Sequence, residues 1–212
     1  MKDKIFERKQ NISSNIKIPI INRDTKLINR LMIIVIIGLD EVLGKNGKLY
    51  FRLLCRLVDK SFDEYLMAKN YILEEIKTKN KLVYRFIVIN HLENCINALN
   101  RAIKVFNSSI KTNESYINNF VSENTVAKIK KLNVSPIRNR IEHIDEDIYK
   151  NEFKTDLFLD IDDEYKKICI NSKCLLLTDL VSIIENYYNF VLEIFNNLPN
   201  RYEKGIYFYD KE

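Results

Sequence analysis

Apolar residues recur with helical spacing along most of the chain, and polar interruptions divide it into predicted elements. Asp24 can cap a first helix that runs roughly to Leu43, where the segment from Gly44 to Gly47 breaks it. The centre of this helix is apolar on all sides, so we expect neighbouring elements to bury it.

Two further helical segments follow this break. The first begins near Leu49 and runs to about Thr78. Within it, Ser61 and Glu64 have the spacing of a capping box, which predicts a kink or a new helix at that point. The second segment is predicted to be a long helix over roughly residues 82–106.

A polar stretch separates the long helix from the later part of the chain. Residues 107–124 are typical of a loop, with a helical turn predicted at 116–121. Residues 125–132 predict a short basic helix that carries Lys128, Lys130 and Lys131.

The segment from Ser135 to Tyr149 combines a helical apolar stripe with a dense polar set. Ser135 can accept a backbone N–H as the N-cap, and Pro136 suits the first helical position. Four isoleucines recur at i, i+4, i+7 and i+11 and are predicted to face inward: Ile137, Ile141, Ile144 and Ile148. A structural helix needs this stripe, but it does not need the polar residues Arg138, Asn139 and His143.

A small β-hairpin is predicted after this helix. An acidic patch at 160–164 precedes two short segments, 167–170 and 173–176, which flank Asn171 and Ser172. Turn-forming residues between two such segments are typical of a hairpin.

The chain closes with a predicted apolar helix. Thr178 or Asp179 can cap this helix, which runs to about Leu198 and is apolar on nearly all sides, so we expect it to be central. The predicted fold is therefore all-α, a helical bundle with a small β-hairpin insert. We predict a single domain over 1–212, with 1–23 as a poorly structured N-terminal arm.

Composition supports a helical fold and leaves the function open. Only four Gly and three Pro occur in 212 residues, which argues against a sandwich or barrel with many tight turns. The net charge of +5 permits binding to RNA or phosphate groups without requiring it. No block of lysines or arginines marks a nucleic-acid-binding arm.

Cysteine and histidine usage argues against a metal site. Only two histidines are present in the sequence. The four cysteines form no CxxC pair and stand at Cys55, Cys95, Cys169 and Cys174. We expect reduced, buried thiols, with no metal and no cofactor. The N-terminus lacks the apolar core of a signal peptide, and the longest apolar run, from Leu31 to Leu39, is far short of a membrane span. These features predict a cytoplasmic protein that does not enter a membrane.

The order Arg138, Asn139, three further residues and His143 resembles the signature of HEPN-superfamily ribonucleases. In that family an Arg is followed by a polar residue, often Asn, then three or four residues and a His. A helical bundle with the motif opening a late helix is also similar to the family. The resemblance implies metal-independent RNA cleavage at a site assembled across a homodimer, with catalytic Arg138, Asn139 and His143. Family members act in toxin–antitoxin, abortive-infection and CRISPR systems, which implies RNA as substrate and an antitoxin or defence protein as a possible partner.

The three side chains suit this chemistry. RNA can be cleaved by its own 2′-OH, so an enzyme must move protons and stabilise charge. His143 suits general acid or base catalysis, and Arg138 offers a planar set of donors to phosphate oxygens. Free N–H groups in the first helical turn favour an anion near Arg138. Asn139 can donate to a phosphate oxygen or orient the His ring, and Arg140 is predicted to help bind the substrate.

The spacing of the motif also favours a dimer. At about 100° per residue, positions 138 and 143 lie roughly 140° apart around an ideal helix, so one helix presents them poorly to a single phosphate. Two copies related by a two-fold axis can place the His of one near the Arg of the other. We expect a homodimer with both motif segments near its axis.

Other residues near the motif have simpler interpretations. Arg85 and His91 fit its loosest form, but they lie within the predicted long helix, where His91 is interpreted as a packing or interface residue. Glu142 can pair with Arg138 at i+4. HEPN toxins silenced by nucleotide transfer carry a Tyr two places after the His, where this chain has Asp145, so the same control is not expected.

Two alternative functions stay open. The first is a non-catalytic helical module that binds a partner or a nucleotide. The second is an inactive binding subunit associated with a nucleotidyltransferase.

Overall fold

The structure is a computed structural model that describes residues 17–78, 81–111, 117–150, 159–171 and 173–198. It is mostly helical with a small three-stranded antiparallel sheet, which confirms the predicted helical architecture with a hairpin. The α-helices are α1 (Leu27–Ile36), α2 (Gly44–Thr78), α3 (Lys81–Lys111), α4 (Glu123–Lys130), α5 (Ser135–Glu142), α6 (Ile144–Tyr149) and α7 (Leu177–Asn197). Two 3-10 helices (Leu39–Leu43 and Ile117–Phe120) and three strands complete the described elements: β1 (Asp160–Ile161), β2 (Lys167–Ile170) and β3 (Lys173–Leu176).

The core lies where the long helices α2 and α3 pack against each other and α7 packs against α2. Helix α7 buries most of its apolar residues, as predicted. Its aromatic rings meet those of neighbouring helices edge-on, with ring centroids 5.1 Å apart for Phe106 and Phe190 and 4.8 Å apart for Phe51 and Phe195. Such pairs stabilise a core beyond the area that they bury. Neither α7 nor another helix in the described ranges has the length and hydropathy needed to cross a membrane.

Helix α2 runs without interruption through the predicted capping box. The hydroxyl of Ser61 donates to the carbonyl of Val58 at 2.8 Å, so it bonds the preceding turn and does not cap a new helix. The prediction of a helix start at Ser61 is wrong, because this residue is buried within a helix that already began at Gly44. The predicted end near Thr78 and the presence of the following long helix are confirmed, but that helix continues to Lys111, so the predicted loop is wrong for residues 107–111.

Helix α1 is shorter and more exposed than predicted. It ends at Ile36, and Gly38 then adopts a left-handed φ of 68° that leads into the 3-10 helix Leu39–Leu43. One face packs on the core, but three apolar residues of the other face are 59%, 62% and 80% exposed: Met32, Ile33 and Ile36. The expectation that neighbours bury the whole helix is therefore wrong for the described part of the chain.

A carboxylate from α2 caps the start of α1. The two oxygens of Asp59 accept hydrogen bonds from the backbone N–H groups of Leu27, at 3.0 Å, and Ile28, at 2.8 Å. Arg23 Nη1 lies 2.9 Å from Asp59 Oδ1 and pairs with the same carboxylate. The predicted cap, Asp24, is wrong, because the N–H groups are bound by a residue about 30 positions later in the chain.

The predictions for the other helix ends are partly confirmed and partly wrong. Helix α4 overlaps the predicted basic helix and begins two residues earlier, because the side chain of Ser122 accepts the N–H of Thr125. The 3-10 helix Ile117–Phe120 confirms the predicted helical turn. Helix α7 begins at Leu177 without a side-chain cap, so the caps predicted at Thr178 or Asp179 are wrong.

The sheet contains the predicted hairpin and one additional strand. Strands β2 and β3 pair antiparallel over all four residues, and Asn171 has the positive φ of 50° that tight turns often require. The two-residue strand β1 pairs with β2 on the other side. It was not predicted, because two residues are too few for an alternating pattern.

The cysteines form two classes. Cys55 and Cys95 are free and buried, as predicted, and burial raises the pKa of both thiols. Cys169 and Cys174 form a disulfide across β2 and β3. The expectation of four reduced, buried thiols is therefore wrong for this pair, because the hairpin register places the two residues directly opposite each other.

Two adjacent tyrosines of α7 offer a matched stability test. Both are buried in the core, as predicted, but Tyr188 donates to the carbonyl of Thr25 at 2.8 Å, whereas the Tyr187 hydroxyl has no hydrogen-bond partner among the described residues. We expect Tyr187→Phe to raise the free energy of unfolding by about 1 kcal/mol and Tyr188→Phe to lower it by about 1 kcal/mol. Urea denaturation of both variants measures the two changes.

Tyr187 should also make the stability of the protein depend on pH. Burial raises the pKa of the Tyr187 phenol, so the folded state keeps its proton after the unfolded state has lost it. Stability therefore falls as the pH rises above about 10, the ordinary tyrosine pKa. Tyr187→Phe should lose less stability than the wild type over this range. Equal losses, or a destabilised Tyr187→Phe, would contradict the assignment.

Candidate functional site

Helix α5 holds Arg138 and Asn139 of the predicted motif and packs against α3 and the hairpin strands β2 and β3. Ile137 is buried and Ile141 is partly buried, so these two residues fix the inward face of the helix. At its start, the hydroxyl of Ser135 reaches Asn100 on α3, and the two oxygens lie 3.5 Å apart. The contacts position the motif against the body of the protein.

The start of α5 differs from the prediction. Ser135 lies inside the helix and does not cap it; its own backbone N–H donates to Asn133 Oδ1 at 2.7 Å. The backbone N–H of Arg138 donates to the carbonyl of Val134 at 3.1 Å. Because the N–H groups of Ser135 and Arg138 are already bonded, these two are not available to an anion at the start of α5.

His143 marks a break between two short helices. Its φ of −105° and ψ of 22° lie outside the helical range, so α5 ends at Glu142 and α6 starts at Ile144. The regular helical backbone is therefore interrupted at the candidate catalytic residue. The predicted inward stripe fails beyond this break, because Ile148 is 46% exposed; the side chain of Ile144 lies outside the described part.

Arg138 is held by a carboxylate one turn later. Its guanidinium forms an ion pair with Glu142, which confirms the predicted i+4 contact. The side chain of Arg138 is 19% exposed, and that of Glu142 is 42% exposed. Arg138 is thus a largely sheltered cation whose charge is partly neutralised in the free protein.

His143 is more accessible than Arg138. Its side chain is 57% exposed, and Nδ1 lies 3.1 Å from Glu146 Oε1 on α6. Because Nδ1 faces the carboxylate, the second ring nitrogen is left for another partner. No hydrogen bond joins His143 to Arg138; each side chain binds its own glutamate.

The remaining predicted site residues lie beside these two pairs. Asn139 is exposed, and Arg140 is half-buried. Helix α4, which ends four residues before α5, carries three exposed cations: Lys128, Lys130 and the following Lys131.

The rival pair, Arg85 and His91, has structural partners. Nδ1 of His91 lies 2.7 Å from Glu64 Oε2, and the ring stacks on Tyr71 with centroids 5.6 Å apart. These contacts join α2 and α3 and support the interpretation of His91 as a packing residue.

Arg85 connects the helices α2 and α3 to the sheet, a role that the sequence did not indicate. It lies 3.8 Å from Glu75, 3.9 Å from Asp160 and 3.3 Å from Asp163. Burial and a hydrogen bond with Glu75 raise the pKa of the Tyr165 hydroxyl beside this cluster. The cluster is therefore best explained as an anchor for the acidic loop before β2.

Among the described residues, no group of three His, Cys, Asp or Glu side chains could hold a metal ion. Comparison with known proteins adds no assignment: no family model matches the sequence, and neither a curated protein nor a solved structure matches the chain.

Proposed function

We propose that the protein is a HEPN-type endoribonuclease that cleaves RNA without a metal ion. The observation that carries the proposal is the motif Arg138-Asn139-x3-His143 on the surface between α5 and α6. Arg138 and His143 each have a carboxylate partner, and a mostly helical body supports the segment. We also propose that the helical bundle has a HEPN-like fold.

The proposed reaction is an attack of the RNA 2′-OH on the adjacent phosphorus. His143 removes the proton of the 2′-OH, or donates one to the departing 5′-oxygen, and Arg138 stabilises the charge that develops on the phosphate oxygens. The P–O5′ bond breaks as the P–O2′ bond forms, which leaves a 2′,3′-cyclic phosphate and a 5′-hydroxyl. Asn139 donates a hydrogen bond to the phosphate or the ring, and Arg140 contributes to binding the RNA backbone.

The two glutamates prepare these residues for the reaction. Glu146 accepts a hydrogen bond from Nδ1 of His143, which leaves Nε2 free to exchange a proton with the RNA. Glu142 fixes Arg138 until a phosphate competes for the guanidinium. Since the pair is partly exposed, this exchange does not require a charge to be left unpaired in the core.

A homodimer completes the proposed site. The separate pairs, Arg138 with Glu142 and His143 with Glu146, favour a composite site in which one protomer supplies the Arg and the other the His. RNA is the proposed substrate. A cytoplasmic role in a toxin–antitoxin, abortive-infection or other anti-phage system, with an antitoxin or defence-system partner, is proposed from the same resemblance.

RNA cleavage in the presence of EDTA tests the proposal. We expect the purified protein to cut a single-stranded RNA in EDTA, because the proposed groups are all side chains, and to leave 2′,3′-cyclic or 3′-phosphate ends. Mass spectrometry of the products identifies the ends. Cleavage that requires Mg²⁺, or products with 3′-hydroxyl ends, would contradict the mechanism. A DNA oligonucleotide of the same sequence lacks the 2′-OH and is the matched negative control.

One observation favours the alternative, a non-catalytic interaction module. The exposed apolar face of α1, formed by Met32, Ile33 and Ile36, is the kind of surface that protein partners cover. A folded protein that leaves RNA intact under all conditions of this assay would favour that alternative.

A further inference from the structure

The hairpin beside the motif contains a disulfide at its solvent face. Cys169 and Cys174 are direct cross-strand partners, with Cα atoms 4.1 Å apart. They form the second pair from the turn, since Ile170 and Lys173 are the pair next to it. In an antiparallel hairpin with a two-residue turn, this second pair is not hydrogen-bonded, and its side chains approach most closely.

The two faces of the hairpin have different environments. Ile168 and Ile170 are buried and attach β2 to the core. Because side chains alternate along a strand, Cys169 points to the opposite face; it is half-buried, and Cys174 is exposed. A thiolate can therefore reach the disulfide at Cys174 without unfolding the domain. The other cysteines, Cys55 and Cys95, are inside the core and cannot be reached in this way.

The hairpin also supports the candidate site. Both β2 and β3 contact α5, and β3 continues directly into α7. At this junction, the backbone N–H of Leu177 donates to the carbonyl of Lys166 at 2.8 Å. Direct packing therefore links the hairpin to the helix that carries Arg138. The disulfide closes a loop between cysteines only five positions apart and therefore stabilises the fold less than a disulfide across a long loop, so we expect the domain to stay folded when the bond opens.

We propose that Cys169–Cys174 is a thiol-exchange site that a dithiol reductant opens in the folded protein, and that opening it loosens the support of α5. A thiolate of the dithiol attacks Sγ of Cys174, the S–S bond breaks, and Cys169 leaves as a thiolate that takes up a proton. The second thiol of the reductant then attacks the mixed disulfide and releases Cys174 as a thiol. The reductant is oxidised to a disulfide as the protein disulfide is reduced to two thiols. In a reducing compartment, disulfides of folded proteins are usually transient or redox-sensing.

Alkylation under native conditions tests the exchange step. The full chain is treated with dithiothreitol without denaturant, then with iodoacetamide, and its peptides are mapped by mass spectrometry. We expect labels at Cys169 and Cys174 and none at Cys55 or Cys95, which serve as controls within the same molecule. Oxidised glutathione should close the bond again in protein that has not been alkylated.

Two results would overturn the exchange site. One is labelling of Cys169 and Cys174 only after denaturation, since the bond would then be inert in the folded state. The other is a protein whose two thiols remain free after treatment with oxidised glutathione, since no disulfide would then form.

Deuterium exchange tests the link to the motif helix. We expect amide exchange in α5 to be about tenfold faster in the reduced protein than in the oxidised protein. The double variant Cys169→Ser/Cys174→Ser should show the faster exchange with and without reductant. Equal exchange of α5 in all samples would overturn the proposed coupling. None of these measurements depends on ribonuclease activity.

Discussion

Replacing His143 by alanine is expected to lower the rate of RNA cleavage by about 10²- to 10⁴-fold, the usual loss on removing a general acid–base. The side chain is 57% exposed at a junction between two helices, so its removal should leave the fold intact. Single-turnover cleavage of a labelled RNA measures the rate, and circular dichroism checks the helical content. His91→Gln is the matched control, because Gln can keep a hydrogen bond to Glu64 and should preserve activity.

A mixture of two inactive variants tests whether the site is shared between protomers. In a composite site, a heterodimer of Arg138→Ala and His143→Ala has one site with both residues intact. With free exchange of subunits, we expect the mixture to regain about a quarter of the wild-type activity. No recovery in a sample that contains heterodimers would place both residues in one protomer. Full activity of a folded His143→Ala variant would show that the active site does not include His143.

Asp59→Ala is expected to have the largest effect on stability, a loss of about 3–5 kcal/mol in the free energy of unfolding. The side chains of Asp59 and Arg23 are only 8% and 9% exposed. Removing the carboxylate leaves the N–H groups of Leu27 and Ile28 without their acceptors and takes one partner from a buried cation. Urea denaturation followed by circular dichroism measures the loss.

Asp63 provides the matched control for this prediction. Its carboxylate also pairs with Arg23, and it lies 2.7 Å from Lys26, but its side chain is 42% exposed. Asp63→Ala should therefore cost at most about 1 kcal/mol. Asp59→Asn should lie between the two, because an amide oxygen can still accept one N–H. If Asp59→Ala and Asp63→Ala are equally mild, the carboxylate is not the essential cap of α1.

Elements that depend on local sequence were predicted well. The presence of α3 and the bounds of the β2–β3 hairpin follow from helical periodicity and from turn residues, both of which are local properties. The end of α3 does not, because the helix runs to Lys111, five residues beyond its predicted end at 106. The true cap of α1 could not be predicted, because Asp59 reaches Leu27 through tertiary packing. At Ser61 the local signal of a helix start was present, but a helix already under way continued through it.

In the candidate site, too, features set by local sequence were predictable and features set by the three-dimensional structure were not. The pairing of Arg138 with Glu142 was readable from the i+4 spacing. The break at His143 was not, because the isoleucine stripe continues past it in sequence. The disulfide did leave a signal: a two-residue turn between β2 and β3 requires Cys169 to face Cys174, and this register could have been derived from the predicted hairpin.

The position of α7 has a consequence for synthesis of the chain on the ribosome. This helix is made after α1 and α2, yet Tyr188 donates to the carbonyl of Thr25 across 163 positions, and Phe195 packs on Phe51. Until α7 has left the ribosome, it cannot pack on the apolar surfaces of α1 and α2 that it buries in the folded domain. The nascent chain thus resembles a bundle with one face open until α7 has emerged and packed.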